Sequence, residues 1–366
     1  AAPSVSATMS RHSAVRVGGA SGSFVSADGL VLTNHHVAFD QLQKLSTPER
    51  DYVRDGFYAR TRAEEIPCPD QELRVLVSME EVTPRVIGAV DRDASQSEQT
   101  AQRKGAMARI EEESTRETGL KCEVVELYRG GQYWVYRYRT YTDVRLVMAP
   151  ESRIAAFGGD LDNFTYPRHD LDIAFFRVYE NGEPLRTADF LRFNPEGPRE
   201  NELVFVAGHP GSTGRLRTVA QLEFERDHNI PSRIERQARR LEAYYAYSAR
   251  GPEEARRAAD RIKGLENSQK RLFGLREVLA DPRIMEAKRA QEAEVRAQVP
   301  RDPELDVRAD DPWKRIAEAR RAMLSRHREA QHRDLGRVSR LVDYANTIVR
   351  YTTEVEKPDA ERLAEF

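Results

Sequence analysis

Residues 22–37 read GSFVSADGLVLTNHHV, and the fold turns on how that stretch is punctuated. Residues 23–26 alternate as a strand does. Asp28-Gly29 is a turn signal, because Gly tolerates the positive φ that a tight hairpin needs. Residues 30–32 make the second strand. The chain then leaves it through a short turn, Thr33-Asn34-His35-His36. Adjacent histidines at a strand end admit three readings. A shared metal ion is disfavoured, since neighbours on a strand face opposite sides. Purely structural histidines are the second reading. The third makes His36 a base, with His35 pointing elsewhere.

Bulk composition narrows the classes. The 366 residues are 39% hydrophobic, ample for a core and for two domains. A net charge of −2, with 32% charged residues, sets up no strong field to draw nucleic acid or an anionic membrane. No apolar run approaches membrane-spanning length. The first seventeen residues, AAPSVSATMSRHSAVRV, lack the basic-then-apolar pattern of a signal sequence, so a leader was either never there or has been removed. Cys68 and Cys122 are compatible with one disulfide, with two buried thiols or with neither, and are too few for a zinc cluster.

Read in order, residues 14–17 form a strand that enters the Gly18-Gly19 turn and feeds the hairpin. Residues 38–45 suggest a short helix. Ser46-Thr47-Pro48-Glu49 reads as an N-cap with Pro in the first turn, and 51–63 as helix interrupted at Gly56. A strand follows at 72–77. Thr83 opens a charged helical region reaching Thr118, whose 99–116 portion is a solvated face. Strands at 123–127, 133–141 and 144–148 come next, with Gly130-Gly131 as a hairpin turn. Gly158-Gly159 and Pro167 mark a folded loop. Asp172 then begins a strand over 173–178, and 203–207 forms another before HPGSTGR at 209–215. At least seven strands with turn punctuation suit a β-barrel. Beyond residue 218 the character changes. Ile234, Ala238, Leu241, Tyr245 and Ser248 recur at helical spacing, and Gly251-Pro252, Asp281-Pro282 and 300–312 separate further helices. The expected fold class is mixed β and α, with a β-barrel domain over 1–220 and an α-helical domain over 221–366. The arginine-rich 313–349 stretch reads as solvated surface rather than a nucleic-acid contact.

Chemistry at His36 needs partners. Nucleophilic hydrolysis requires a base, a carboxylate that fixes the base's tautomer, and a nucleophile beside an oxyanion hole. His36, just past a hairpin and before Val37, is similar to the general base of barrel-type serine peptidases. Asp172, ahead of the apolar Ile173-Ala174-Phe175-Phe176, is the best carboxylate, with Asp160, Asp162 and Asp170 as competitors. A nucleophile is harder to find. Ser21, in Gly19-Ala20-Ser21-Gly22, belongs to the base's own hairpin, and Ser212 is a turn residue, so neither is adopted.

The chain resembles the first half of the bacterial dipeptidyl-peptidase 7 and dipeptidyl-peptidase 11 family of serine peptidases. The matching segments are GSFVSADGLVLTNHH (22–36), GGQY (130–133), DVRLV (143–147), FGGDLDNFTYPRH (157–169), the Asp172 strand and GHPGSTGR (208–215), with LENSQK (265–270) less specific. They cover about two hundred residues in the right order. The resemblance implies a chymotrypsin-like double β-barrel interrupted by a helical domain, with the nucleophilic serine in a second barrel beyond this chain. The chain would then be a fragment, inactive by itself. It further implies release of dipeptides from peptides with a free amino terminus, without metal or cofactor, in the bacterial periplasm or at the outer membrane; a homodimer fits the family. By position, His36 is the base and Asp172 the acid. Asn163, Phe164 and Asn267 bind the substrate's amino terminus. Many members carry Trp where this chain has Phe164, which keeps an aromatic wall but loses the indole N–H. Apart from the resemblance, Asn163 also reads as a loop-stabilising Asx turn. Two rival functions stand beside this one: a trypsin-like endopeptidase, and a non-catalytic peptide-binding protein on a peptidase fold.

Overall fold

The computed structural model describes residues 11–47, 49–155, 157–209, 211, 214–298, 311–333, 339–358 and 362. The chain is mixed α and β, and it divides into two units. One comprises Ala1–Ala155, Leu171–Pro210 and Ser339–Phe366; the other comprises Ala156–Asp170 and Gly211–Val338. The 156–170 loop therefore groups with the helices that follow residue 211, and the boundary expected at 220 lies inside the second unit.

The first unit is built on one antiparallel sheet. Its strands are β1 (Ala14–Val17), β2 (Ala20–Phe24), β3 (Leu30–Thr33), β4 (Phe57–Tyr58), β5 (Ile66–Pro67), β6 (Leu73–Glu81), β7 (Lys121–Leu127), β8 (Gln132–Tyr141), β9 (Asp143–Ala149), β10 (Ala174–Glu180) and β11 (Glu183–Pro184). The hydrogen-bonded path runs β4-β9-β10-β3-β2-β1-β6-β8-β7, with β5 on β9 and β11 on β10. Val15, Phe24, Val31, Leu73, Leu146 and Phe176 turn to one side and close a core with Leu42 of helix α1 (His35–Leu45). Gly29 makes the β2–β3 turn at φ +75°, where a Cβ would lie 2.9 Å from the Val178 carbonyl oxygen. Ladder pairs Leu30↔Arg177 through Thr33↔Ala174 then bind β3 to β10.

A buried ion network locks that turn. The Arg177 guanidinium donates to Glu65 at 2.9 Å and to the Asp28 carbonyl at 2.9 Å, and lies 2.8 Å from the Asp28 carboxylate. The Tyr179 hydroxyl donates to Glu65 at 2.9 Å, and Arg62 reaches Asp28 at 2.7 Å. Burial pushes the Asp28 carboxyl up, but the Ser26 hydroxyl and the two arginines outweigh it and hold it below its usual value.

Helices α3 (Thr83–Gly88) and α4 (Gln96–Thr118) cover the β7–β8 end. A reciprocal Ser95–Glu98 capping box starts α4, and Gly119 at φ +67° ends it. Ala106, Ile110 and Ser114 form its buried stripe, so the charged face expected over 99–116 is the opposite one. Cys68 and Cys122 are both free and buried, in separate core clusters.

Several local expectations are corrected. The helix after the hairpin starts at His35 rather than Ala38. Ser46 closes that helix, its hydroxyl donating to the Leu42 carbonyl, and Asp51 caps the next one; Pro48 lies outside the described residues. That next helix, α2 (Tyr52–Asp55), is a single turn, because Gly56 adopts φ +72° against the 149–151 backbone and sends Phe57 into β4. Residues 203–207 form no strand: Leu203, Val204, Phe205 and Val206 are exposed, and among the described strands none pairs with them. An apolar run becomes a strand only when its backbone groups find partners.

The second unit contains α5 (Val219–Phe224), α6 (Ile230–Ser248), α7 (Pro252–Ala280), α8 (Pro282–Gln298) and α9 (Pro312–Arg333), with one π-helical turn, Glu225–Asn229, between α5 and α6. Ile230, Leu272, Leu279 and Met285 form its core, flanked by Val219, Leu222, Ile234 and Leu275. Tyr245, on the expected apolar face of α6, is 46% exposed and serves another purpose, described below. A further helix, α10 (Arg340–Glu354), belongs with the first unit.

Gly29→Ala should destabilise the first unit by about 1–3 kcal/mol, since a side chain there combines positive φ with a backbone clash. Gly19→Ala, with open space around its Cβ, should change little. Denaturant midpoints of both variants test this, and equal midpoints would contradict it.

Candidate active site

β3 ends at Thr33, and Asn34 stays extended (φ −84°, ψ 150°) before the helix begins at His35. On a helix, successive residues are rotated by about 100°, so the two histidines part. His35 goes inward, 1% exposed, with its ring edge-on to Phe39. His36 stays part-exposed on the side facing the start of β10. The β3–β10 ladder ends at Thr33↔Ala174, and Asp172 lies two residues ahead of β10, close to the start of α1.

Asp172 uses that position fully. One carboxylate oxygen, Oδ2, lies 2.6 Å from His36 Nδ1, and the other accepts the His36 backbone N–H at 2.9 Å. Asn34 Nδ2 donates to the Asp172 carbonyl at 2.9 Å and to its carboxylate at 3.2 Å. Asn34 itself makes no side-chain cap, so Asp172, two residues ahead of β10, supplies the capping acceptor of α1. Burial pushes its carboxyl up, but the bonds from the His36 ring and backbone outweigh burial and hold it below its usual value. A carboxylate only accepts, so the short contact requires a proton on Nδ1. In neutral His36 the basic lone pair therefore falls to Nε2.

The competing aspartates are drawn elsewhere. Arg168 lies 3.3 Å from Asp160, 3.9 Å from Asp162 and 2.5 Å from Asp170, a cluster inside the second unit. Asp160 is pushed up by burial and then by the hydrogen bond it shares with Asp162, which is held down chiefly by the His169 backbone N–H.

Asn163 is 3% exposed in the same loop. Its Nδ2 donates to the Gly158 carbonyl at 2.6 Å and to Asn267 Oδ1 on α7 at 2.9 Å, and its Oδ1 accepts from Arg168 at 3.3 Å. The structure thus joins these two asparagines, 104 residues apart in sequence. Phe164 follows at φ +63°, with its ring 60% exposed. Asn163 also braces its own loop, but by donating to the Gly158 carbonyl five residues back rather than by an Asx turn.

Sequence reasoning missed the clasp between Ser21 and the GHP segment. The Ser21 hydroxyl accepts the His209 N–H at 2.7 Å, and Gly208 packs so close that a Cβ would lie 2.6 Å from it. No spacing signal links residues 188 apart. Burial, then Arg16, lowers the His209 pKa. Ser212 lies outside the described residues. Burial pushes the Cys68 thiol up to about 12, which disqualifies it as a nucleophile at neutral pH. Among the described residues no group of three or more His, Cys, Asp or Glu side chains could hold a metal ion.

Asp172→Ala should cost about 1–2 kcal/mol, because it removes the α1 cap. The contribution comes from a depressed carboxylate, so it is complete above the ordinary carboxylate pKa of about 3.9 and lost as pH falls through the lower folded value. The stability gap between the two proteins should therefore close in acid. Urea titrations at neutral and strongly acidic pH measure it, and a gap that widened in acid would contradict the cap.

Comparison with known proteins places this geometry in context. The Peptidase S46 family pattern matches residues 3–366. A dipeptidyl-peptidase 7 of Capnocytophaga gingivalis is 30% identical over 75% of this chain and 40% of its own length. An Asp/Glu-specific dipeptidyl-peptidase of Shewanella putrefaciens is 28% identical over 96% of this chain and 49% of its own. Among solved structures, Porphyromonas endodontalis DPP11 in complex with the dipeptide Arg-Asp superimposes with a TM-score of 0.69 at 25% identity, covering 82% of this chain and 46% of that one. The chain thus spans less than half the length of these relatives. With the match running over nearly all of its residues, the chain belongs to the Peptidase S46 family.

Proposed function

We propose that this chain carries the base and acid of a serine-type dipeptidyl aminopeptidase, which releases dipeptides from the free amino terminus of peptides. The observation that carries the reading is the 2.6 Å contact between His36 Nδ1 and Asp172. With Nδ1 protonated, Nε2 takes the proton from a serine hydroxyl as it attacks the peptide carbonyl. The Asp172 carboxylate stabilises the imidazolium, and the same proton then passes to the leaving amine. In this reading the strands of residues 1–220 form a chymotrypsin-like barrel, and the serine is supplied from outside these 366 residues. The helical region, 221–366, contributes Asn267. The relatives' names, and the dipeptides in the DPP11 complexes, support a peptide substrate. The periplasm or outer membrane of a bacterium is the proposed setting, and a homodimer the proposed assembly.

Asn163, Asn267 and Phe164 are the proposed amino-terminus clamp. Asparagine oxygens offer acceptors to an α-ammonium group, and an aromatic face adds a cation–π attraction of about 0.5–2 kcal/mol. An acylated terminus would leave those acceptors unpaired, at a cost of about 1–3 kcal/mol per group.

In the full-length enzyme, His36→Ala should lower kcat by about three to four orders of magnitude on dipeptidyl reporter substrates, with the fold retained. Asn163→Ala should chiefly erode the preference for free over acetylated amino termini. Turnover that survived His36→Ala but not His35→Ala would reverse the assignment of the base.

A further inference from the structure

We propose that Glu266 is a positioning residue of the amino-terminus clamp: from helix α7 it fixes the Gly158-Gly159 backbone that Asn163 grips. The proposal rests on reading Asn163 and Asn267 as that clamp.

Four positions on α7 meet the loop, at 263, 266, 267 and 270, which share one face of a helix. Glu266 Oε2 accepts the Gly159 N–H at 3.2 Å. Asn267 Oδ1 accepts from Asn163 at 2.9 Å. Lys270 Nζ donates to the carbonyls of Asp160 at 2.7 Å and Leu161 at 2.8 Å. At Lys263 the loop comes against the helix backbone: a Cβ on Gly158 would come within 3.1 Å of the Lys263 Cα and 2.9 Å of Glu266 Oε2. Gly158 also sits at φ +117°. Gly159 leaves little more room, its Cβ falling 3.2 Å from the Glu266 carboxyl carbon.

The carboxylate is itself braced. The Tyr245 hydroxyl on α6 donates to Glu266 Oε1. The carboxylate's hydrogen bond, with burial second, pushes the tyrosine pKa up to about 12, so the phenol stays a donor throughout the physiological range. Glu266 therefore has one oxygen on a neighbouring helix and the other on the loop. The next residue along the chain, Asn267, bonds to Asn163, and Asn163 bonds back to the Gly158 carbonyl. These bonds close a ring, Gly158–Gly159–Glu266–Asn267–Asn163. A clamp that must offer acceptors in a set direction gains affinity when its amides are held before the ligand arrives. Glu266 does that holding without needing to touch the substrate.

The test uses the full-length enzyme and a dipeptidyl reporter with a free or an acetylated amino terminus. Glu266→Gln keeps the size of the side chain but replaces one acceptor oxygen with a donor. It should lower the free-over-acetylated ratio of kcat/KM about tenfold, mainly through KM, with kcat within about threefold of wild type. Tyr245→Phe, at a half-exposed ring, should shift the ratio in the same direction by about threefold. It decides the matter if Glu266→Gln does not fold. Asn163→Ala is measured beside them. Loss of the preference in Asn163→Ala with wild-type ratios in the other two would overturn the role of Glu266 while leaving the clamp standing. Equal losses on both substrates, with a lowered melting temperature, would reduce Glu266 to a purely structural residue and overturn the proposal. A preference retained in Asn163→Ala would remove the clamp reading itself, and this proposal with it.

Discussion

One carboxylate joins two distant pieces of this chain. Asp172 stands just ahead of β10, accepts the first-turn N–H of α1 and holds the His36 ring. A helix begun without a side-chain cap of its own frays at its first turn, and here that turn carries the histidine. Capping and ring orientation are therefore one interaction, so the tautomer of His36 cannot be separated from the integrity of the helix. The pairing is set further back, in the antiparallel ladder between β3 and β10, which Gly29 and the Arg177–Glu65–Asp28 network fix at its far end.

The second unit solves a related problem with different chemistry. Its loop over 157–170 leaves Leu161, Phe164 and Tyr166 exposed, and it is ordered by charge and amides instead. Arg168 gathers three aspartates, and Lys270 ties down two carbonyls. Fixing each backbone residue costs about 1–2 kcal/mol of conformational entropy, and a loop without a core must recover that through hydrogen bonds to a rigid neighbour. Helix α7, buried along Leu265, Leu272 and Leu279, is such a neighbour.

Much of this was legible in the residues. The hairpin around Asp28-Gly29, the long strands β7 to β9 and the change to helices after residue 218 all follow from turn chemistry and periodicity. His36 and Asp172 could be nominated as partners, as could Asn163 and Asn267, because their segments carry family motifs. What stayed hidden depends on contacts between distant residues. Nothing in the local sequence says that α1 begins at His35, since its cap comes from residue 172. The Ser46-Thr47-Pro48-Glu49 signal is a fair N-cap pattern, yet the Ser46 hydroxyl donates to the end of α1 while accepting the Tyr52 N–H, and Asp51 is the cap of α2. Residues 203–207 have strand composition, and only the absence of a paired strand among the described residues distinguishes them from one. Glu266 and Arg177 read as ordinary surface charges until their partners, more than a hundred residues away, are in place.

Phe164 carries a further implication. Its backbone lies in the left-handed region, which costs a residue with a side chain roughly 1–2 kcal/mol and a glycine almost nothing. The ring is largely exposed and so recovers little of that cost by packing. Selection for thermal tolerance alone would accordingly drift toward glycine or asparagine at this position. An aromatic residue kept there through such selection would have to be maintained by what it binds, and engineered variants of this chain that gain heat resistance at position 164 should be examined first for lost recognition.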